Sequence, residues 1–467
     1  MIRKGLLITL ALGTGLVMAW LMLLGSGYTA RAAPAAELHV CPSCPYSSIQ
    51  AAVDDAVTGD VIKVAQGTYT DVHHIASMDS GSFTATQIVA ITKTITIRGG
   101  YDTTDWFAPD PEAYPTILDA GGLGRVIVIS GTISPAIGGF HITGGNAQGL
   151  GGFYSYDVGG GVFINGASAI ISSNQIYSNT ATWSGGGLYL ETSDAIINNN
   201  TISENSSQDR GGGLFLYLSA ATLSENIIRD NTAGSRGGGA YSLSSVATLS
   251  GNIFENNSAA NQGGGLYLSI YGGTLKNNIF IGNHTQSGGG LYITYAANPA
   301  PKLINNVLVG NQASVGSGIL FDVLYPDLQT VSCLHTTLHD NRGGGEGIFV
   351  RGYPSIALTN TVIVSHSVGI SVTLGSITTL DTTLWYANQT NLIGSGSHTN
   401  DHTGDPLFSP DGFHIDYRSA ARDKGVNAGV SMDIDGERRP QGVGYDIGAD
   451  EFDLPDIYLP LVIKTNS

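Results

Sequence analysis

A Gly-Gly-Gly triplet begins at Gly159, Gly185, Gly211, Gly237 and Gly263, 26 residues apart each time, and again 25 residues later at Gly288. Shifted copies follow at Gly316 and Gly343. Two asparagine columns keep the same step: Asn174, Asn200, Asn226, Asn252, Asn278 and then Asn306, and, five residues on, Asn179, Asn205, Asn231, Asn257, Asn283 and then Asn311. A fixed period of this length means that one small unit is repeated and stacked on itself. Within each unit apolar residues alternate with period two, as in Leu188-Tyr189-Leu190 and Leu214-Phe215-Leu216, so the unit is made of strands. With 65 glycines in the chain, helical repeats are excluded. Three short strands per unit describe one coil of a parallel β-helix, an all-β, single-stranded solenoid. Coils stack at about 4.8 Å, so residues one period apart become neighbours. The asparagines then read as turn ladders, each side chain bonding its copies above and below.

The two ends differ from this. Arg3 and Lys4 precede an apolar run from Leu6 to Leu24, and Ala30-Arg31-Ala32 supplies the small residues of a cleavage site before Ala33. Residues 1–32 are therefore expected to be an export signal, the alternative being an uncleaved membrane anchor. Residues 33–152 are expected to hold an N-terminal cap and the first irregular coils, 153–395 the regular repeats, 396–452 a closing segment, and 453–467 an apolar tail. Within the tail, Ile457–Lys464 is either a last strand or a surface-retention signal; it is too short to span a bilayer. Ser47 or Ser48 would cap a short amphipathic helix carrying Ile49, Ala52, Val53 and Ala56, which would plug the open core. Cys41 and Cys44 are read as a local disulfide and Cys333 as a buried thiol. The formal charge of −17 speaks against nucleic acid and anionic lipid as partners.

The stretches Tyr46–Val53, Gly59–Val64 and Gly67–Tyr69 resemble the opening of the pectate-lyase-like superfamily of right-handed parallel β-helices. "IRGGYD", "PTILDAGG" and "GGFHITGGNA" are similar to bacterial surface proteins with right-handed β-helix repeats. The triplet-plus-aromatic coils resemble polymorphic outer-membrane-protein repeats. "DPLF" at Asp405–Phe408 and the stretch Asp433–Phe452 resemble the closing segment of choice-of-anchor Q proteins. The resemblance implies a right-handed solenoid outside the cytoplasm, and is weak for activity.

Candidate chemistry follows from the parity of the strands. If Leu188 and Leu190 point inward, Tyr189 points out, and Phe163, Tyr189, Phe215, Tyr241, Tyr267 and Tyr292 form one outward column. Two readings stand side by side: an uncovered aromatic stripe for a polysaccharide, or rings that stack and strengthen the sheet. Ser242 sits where an inward apolar residue is expected. Arg210 and Arg236 stack one coil apart and could hold an acidic sugar's carboxylate. Glu204 and Asp230 stack in another column, where two carboxylates could bind calcium or share a proton; a solvated surface pair is the simpler reading. These four residues are the weak catalytic candidates if the chain is a lyase or glycosidase of an acidic polysaccharide. Asp433, Asp435 and Glu437 resemble a short calcium loop or form a polar turn, and His398, Asp401, His402 and Asp405 either ligate a metal or, as the simpler reading, are linker residues. No cofactor is certain, and Ca²⁺ is the one the sequence would admit. The expectation is an exported, cell-surface or extracellular module without catalytic activity, either structural or binding a polysaccharide or another surface; the alternative is a lyase or glycoside hydrolase of an acidic polysaccharide.

Overall fold

The computed structural model describes residues 35–76, 84–150, 156–296, 300–323 and 330–452; the segments expected to be an export signal and an apolar tail lie outside the described residues. From Glu37 onward the chain is a parallel β-solenoid, and its one helix among the described residues, α1 (Ile49–Asp55), is short.

Each regular coil begins with the glycine triplet and enters the first strand, as in Leu188–Glu191, Leu214–Tyr217 and Ala240–Leu243, which belong to a 13-stranded sheet. Two further strands follow, such as Thr222–Ser224 and Ile227–Arg229, and both run in a 25-stranded sheet. A fourth, two-residue strand closes the coil in four repeats, for example Thr232–Ala233; the period alone had suggested three strands. The register follows the period, pairing Leu188 with Leu214 and Ile197 with Leu223. Later coils shorten, so Ile348 pairs with Ile370 and Ile370 with Leu392.

Inward columns of leucine, isoleucine and alanine fill one continuous core from Leu38 to Trp385. Phe254 and Phe280 stack within it at 4.8 Å. Ser242 keeps the register between Leu216 and Leu268 and is buried, with an unbonded hydroxyl. Cys333 is fully buried, and burial pushes its thiol up to about 12. Cys41 and Cys44 are disulfide-bonded.

The asparagine ladders set the corners. Asn200 donates from Nδ2 to Asn226 Oδ1 at 3.0 Å, and Asn226 in turn to Asn252 at 2.9 Å. The same Oδ1 of Asn226 also accepts the backbone N–H of Asn200 at 3.0 Å. Each ladder thus satisfies buried backbone that no strand reaches. The triplet is explained by closeness. A Cβ on Gly186 would stand 2.3 Å from Ser206 O and 2.6 Å from Gly212 O, and one on Gly187 would meet Gly213 O at 2.5 Å. The first glycine of each triplet turns at positive φ, +65° at Gly185.

α1 seals the first coil. Ser48 Oγ accepts the N–H of Ala51, and Ile49, Ala52 and Val53 enter the core. Gln50 acts as a surrogate strand: its Oε1 accepts Ala90 N–H at 2.7 Å and its Nε2 reaches Ala90 O at 3.4 Å. Beyond the last described strand, His402–Thr403, the chain folds back along the flank. Asn277 and Asn305 donate to Asp433 O, Ile434 O and Met432 O, and Asn360 pairs with Val426 through both its amide atoms.

Candidate functional site

The six aromatic residues share one column, joined in register from Phe163 to Tyr292. They lie outside the main core, in a second apolar cluster on the outer face of the 13-stranded sheet. Their ring centroids are 5.8, 5.1, 5.0, 4.7 and 4.8 Å apart along the column. The rings are nevertheless buried, none more than 5% exposed, which corrects the expectation of an uncovered stripe. Strand parity sets the direction of a side chain and says nothing of what lies over it.

The cover comes from the residue before each triplet. Val158, Ser184, Arg210, Arg236, Gln262, Ser287 and Val315 form their own ladder of bridges. From it each long side chain reaches the ring of the next coil. The Arg210 guanidinium lies 5.6 Å from the Tyr241 centroid, and that of Arg236 lies 5.6 Å from Tyr267. Gln262 Nε2 donates to the Tyr292 hydroxyl at 3.0 Å. Burial pushes the Tyr189, Tyr267 and Tyr292 phenols far up, so they stay neutral. At the end of the stack Tyr292 donates to Asp322 at 2.5 Å, and Arg351 clamps the same carboxylate through two nitrogens at 3.1 and 2.5 Å.

Ser184 is the break in this cover. A serine cannot span a coil, and a groove of about 280 Å³ opens there over Tyr189 and Phe215. Its walls are Tyr156, Trp183, Arg210 and Tyr217. Tyr156 and Trp183 stack at 4.4 Å with planes 16° apart, and are 42% and 36% exposed. Arg210 stands 5.9 Å from the Trp183 centroid, and its Nε lies 3.1 Å from Asp209 Oδ2. Of the residues anticipated from sequence, Tyr189, Phe215 and Arg210 meet here, while Arg236 lies over Tyr267 outside the lining. Tyr156, Trp183 and Asp209 had not been anticipated. The legible signal was the size of the residue before each triplet, where a small Ser184 stands between Val158 and Arg210.

The remaining candidates have structural explanations. Glu204 and Asp230 occupy corners with left-handed backbone, φ +56° at both, immediately before the ladder residues Asn205 and Asn231. The same column carries Asn256, Gly282 and Gly310, residues suited to that conformation. Asp230 pairs with its exposed neighbour Arg229 at 3.4 Å, a solvated contact worth little. Of the two readings of Asp433–Glu437, the geometry is that of the polar turn. Asp433 is fully buried, and its carboxylate accepts the backbone N–H groups of Asp435, Glu437 and Glu451, which leaves it inside a turn. His398 pairs with Asp401 at 3.2 Å and Asp405 Oδ1 accepts Leu407 N–H, and among the described residues His398, Asp401, His402 and Asp405 do not gather at metal-ligand spacing.

Among the described residues, the group with metal-ligand spacing is His414, Asp435 and Asp450. His414 is bridged at 2.7 Å on both ring nitrogens, by Asp411 and Asp435. Burial opposes the charged ring, but these carboxylates outweigh it and raise its pKa to about 9. Burial raises Asp446 to about 7 and Asp450 to about 6. All three shifts have one sign. The folded acids keep protons that unfolded ones release above their ordinary range, so their contribution falls as pH rises toward 7. The His414 contribution is complete below the ordinary histidine pKa and is lost as pH rises through about 9. The flank segment is therefore expected to exchange its amides faster at about pH 9 than at about pH 5, after correction for intrinsic rates. Equal protection at the two values would refute this.

The family described as "Right handed beta helix region" matches residues 127–254, 160–322 and 211–385, together more than half of the chain. No curated protein matches the chain. Among solved structures, pectate lyase Pel9A is similar over 89% of this chain and 96% of its own, at 10% identity and a TM-score of 0.46. The catalytic unit of a thermostable GH87 alpha-1,3-glucanase from Streptomyces thermodiastaticus strain HF3-3 is similar over 76% of this chain and 66% of its own, at 16% identity and a TM-score of 0.42. A DFA-IIIase from Arthrobacter chlorophenolicus A6 is similar over 83% of this chain and 90% of its own, at 14% identity and a TM-score of 0.27.

Proposed function

The chain belongs to the right-handed β-helix family, and from that premise we propose that it is an exported surface protein that binds polysaccharide without cleaving it, through the groove beside Trp183. The observation that carries this reading is the exposed, stacked Tyr156–Trp183 pair at the rim of a ring-floored groove. Flat rings at the rim suit the apolar faces of sugars, and Arg210 in the groove wall supplies donors for hydroxyls. The charged and apolar N-terminal run at residues 1–32, read as an export signal, supports a place outside the cytoplasm. So does the resemblance of the triplet coils to polymorphic outer-membrane-protein repeats and of Asp433–Phe452 to the closing segment of secreted choice-of-anchor Q proteins.

The buried rings are the floor and the rim does the gripping, so the decisive substitutions are Tyr156→Ala and Trp183→Ala together. This double variant is expected to keep the melting temperature within a few degrees, because both rings are partly exposed. It should weaken retention on a polysaccharide affinity gel by about tenfold or more, the equivalent of about 1.4 kcal/mol. Retention equal to that of the parent chain would end the reading.

A further inference from the structure

We propose that the groove takes neutral glycan segments, and that Asp209 sets this preference by neutralising Arg210. The inference rests on the reading of the groove as a glycan site and names the class of sugar. Arg210 is the cation of the groove wall, and by itself it would invite a uronate or sulfate group. It is not by itself: the Asp209 carboxylate lies 3.1 Å from its Nε, and the two side chains are 23% and 29% exposed. At that degree of burial the pair is partly desolvated, and an incoming carboxylate has to displace Asp209 or crowd a second negative charge beside it. Arg236, the next cation along the ladder, lies over Tyr267 and does not line the groove. Further out, the −17 charge of the chain slows the approach of any polyanion. A neutral sugar meets none of these costs. Its hydroxyls can accept from Arg210 while its ring lies on Trp183.

The test uses the full chain, its Asp209→Asn and Arg210→Gln variants, and Trp183→Ala, on affinity gels containing β-glucan, mannan, polygalacturonate or alginate. The parent chain is expected to be retained by a neutral polymer and to pass both polyuronates. Asp209→Asn frees the guanidinium and should raise retention by a polyuronate about tenfold or more at low salt, as expected for a new charge-assisted bond. Arg210→Gln should lower neutral retention a few-fold and leave the polyuronates unbound, which gives a second reading if Asp209→Asn unfolds. Retention of the parent by polyuronate, lost in both Arg210→Gln and Trp183→Ala, would overturn the neutral preference and leave the groove as a glycan site. Retention by no polymer, or retention indifferent to Trp183→Ala, would overturn both.

Discussion

Replacing Asn231 by alanine is expected to destabilise the solenoid by about 3–5 kcal/mol, a large share of the stability of any domain. Asn231 is completely buried, and its side chain works in both directions along the axis. Its Oδ1 accepts the backbone N–H and the Nδ2 of Asn205, at 3.0 and 3.1 Å. Its Nδ2 donates to Ile202 O at 2.9 Å and to Asn257 Oδ1 at 3.0 Å. Truncation strands two donors of Asn205 and one carbonyl in a place that water does not reach, and each such group costs about 1–3 kcal/mol. Aspartate is no substitute, since it would lose the donors and bury a charge. The neighbouring change Asp230→Gly is the control. It removes a solvated carboxylate from a left-handed corner where glycine is at ease, and its effect should stay within about 1 kcal/mol. Because each coil contacts its immediate neighbours, the damage should be local. Hydrogen exchange should report lost protection in the coils holding Asn205, Asn231 and Asn257, with coils near Val362 unaffected. A loss below about 1 kcal/mol in urea unfolding, or damage spread evenly along the chain, would contradict the ladder's role.

These ladders belong to the part of the molecule that was legible beforehand. A period of 26 places Asn200 under Asn226 whatever the loops do, and the same arithmetic gives the outward direction of Tyr189 and Phe215 and the inward direction of Cys333. The cap helix was legible because Ser48 and the spacing of Ile49, Ala52 and Val53 are local signals. Cover was legible only in the sizes of the residues before the triplets, and its reach was not. The side chain over Tyr241 is that of Arg210, 31 residues earlier and one coil below, and whether it reaches depends on its length and on the pairing that holds it. The groove arises from an absence in that cover at Ser184, and from two rings, Tyr156 and Trp183, that belong to no periodic column. Glu204 and Asp230 misled in the opposite sense. Their stacking is real, but its cause is a backbone corner, and the glycines at 282 and 310 in the same column were the available warning. The aperiodic segment after His402 carries no such signal, and its docking on Asn277, Asn305 and Asn360 emerges from contacts well over a hundred residues apart in places.

In that segment, Arg439→Met is expected to cost about 3–5 kcal/mol and to release the flank from the coils while the solenoid persists. The Arg439 and Glu451 side chains are both fully buried, and their ion pair measures 2.7 Å. Arg439 also donates to three carbonyls: Gly448 O at 2.9 Å, Ala449 O at 2.6 Å and, more weakly, Asp446 O at 3.4 Å. Glu451 in turn accepts the backbone N–H groups of Gln441 and Asp446 at 3.0 and 3.1 Å. One guanidinium thus holds together a turn that has almost no regular structure of its own. Methionine fills much of the volume but leaves a buried carboxylate without its counter-charge and carbonyls without donors. Lysine keeps the charge, yet a single ammonium cannot serve acceptors spread around a planar fork, so Arg439→Lys should fall between the parent and Arg439→Met. Adding Glu451→Gln to Arg439→Met should recover part of the loss, because it removes the unpaired charge, and only part, because the carbonyls stay unserved. The segment meets the coils through Thr337 and Asn360, which bond Ala449 N–H and Val426, so loosening the turn undoes the docking. Limited proteolysis should then cut between residues 405 and 452 at a rate raised about a hundredfold or more, as about 3 kcal/mol implies when opening precedes cleavage. The far-ultraviolet signal of the coils should remain. Cleavage at the parent's rate would show that the apolar contacts of Ile415, Ala421 and Ile447 with Val362 and Leu384 hold the flank without the ion pair.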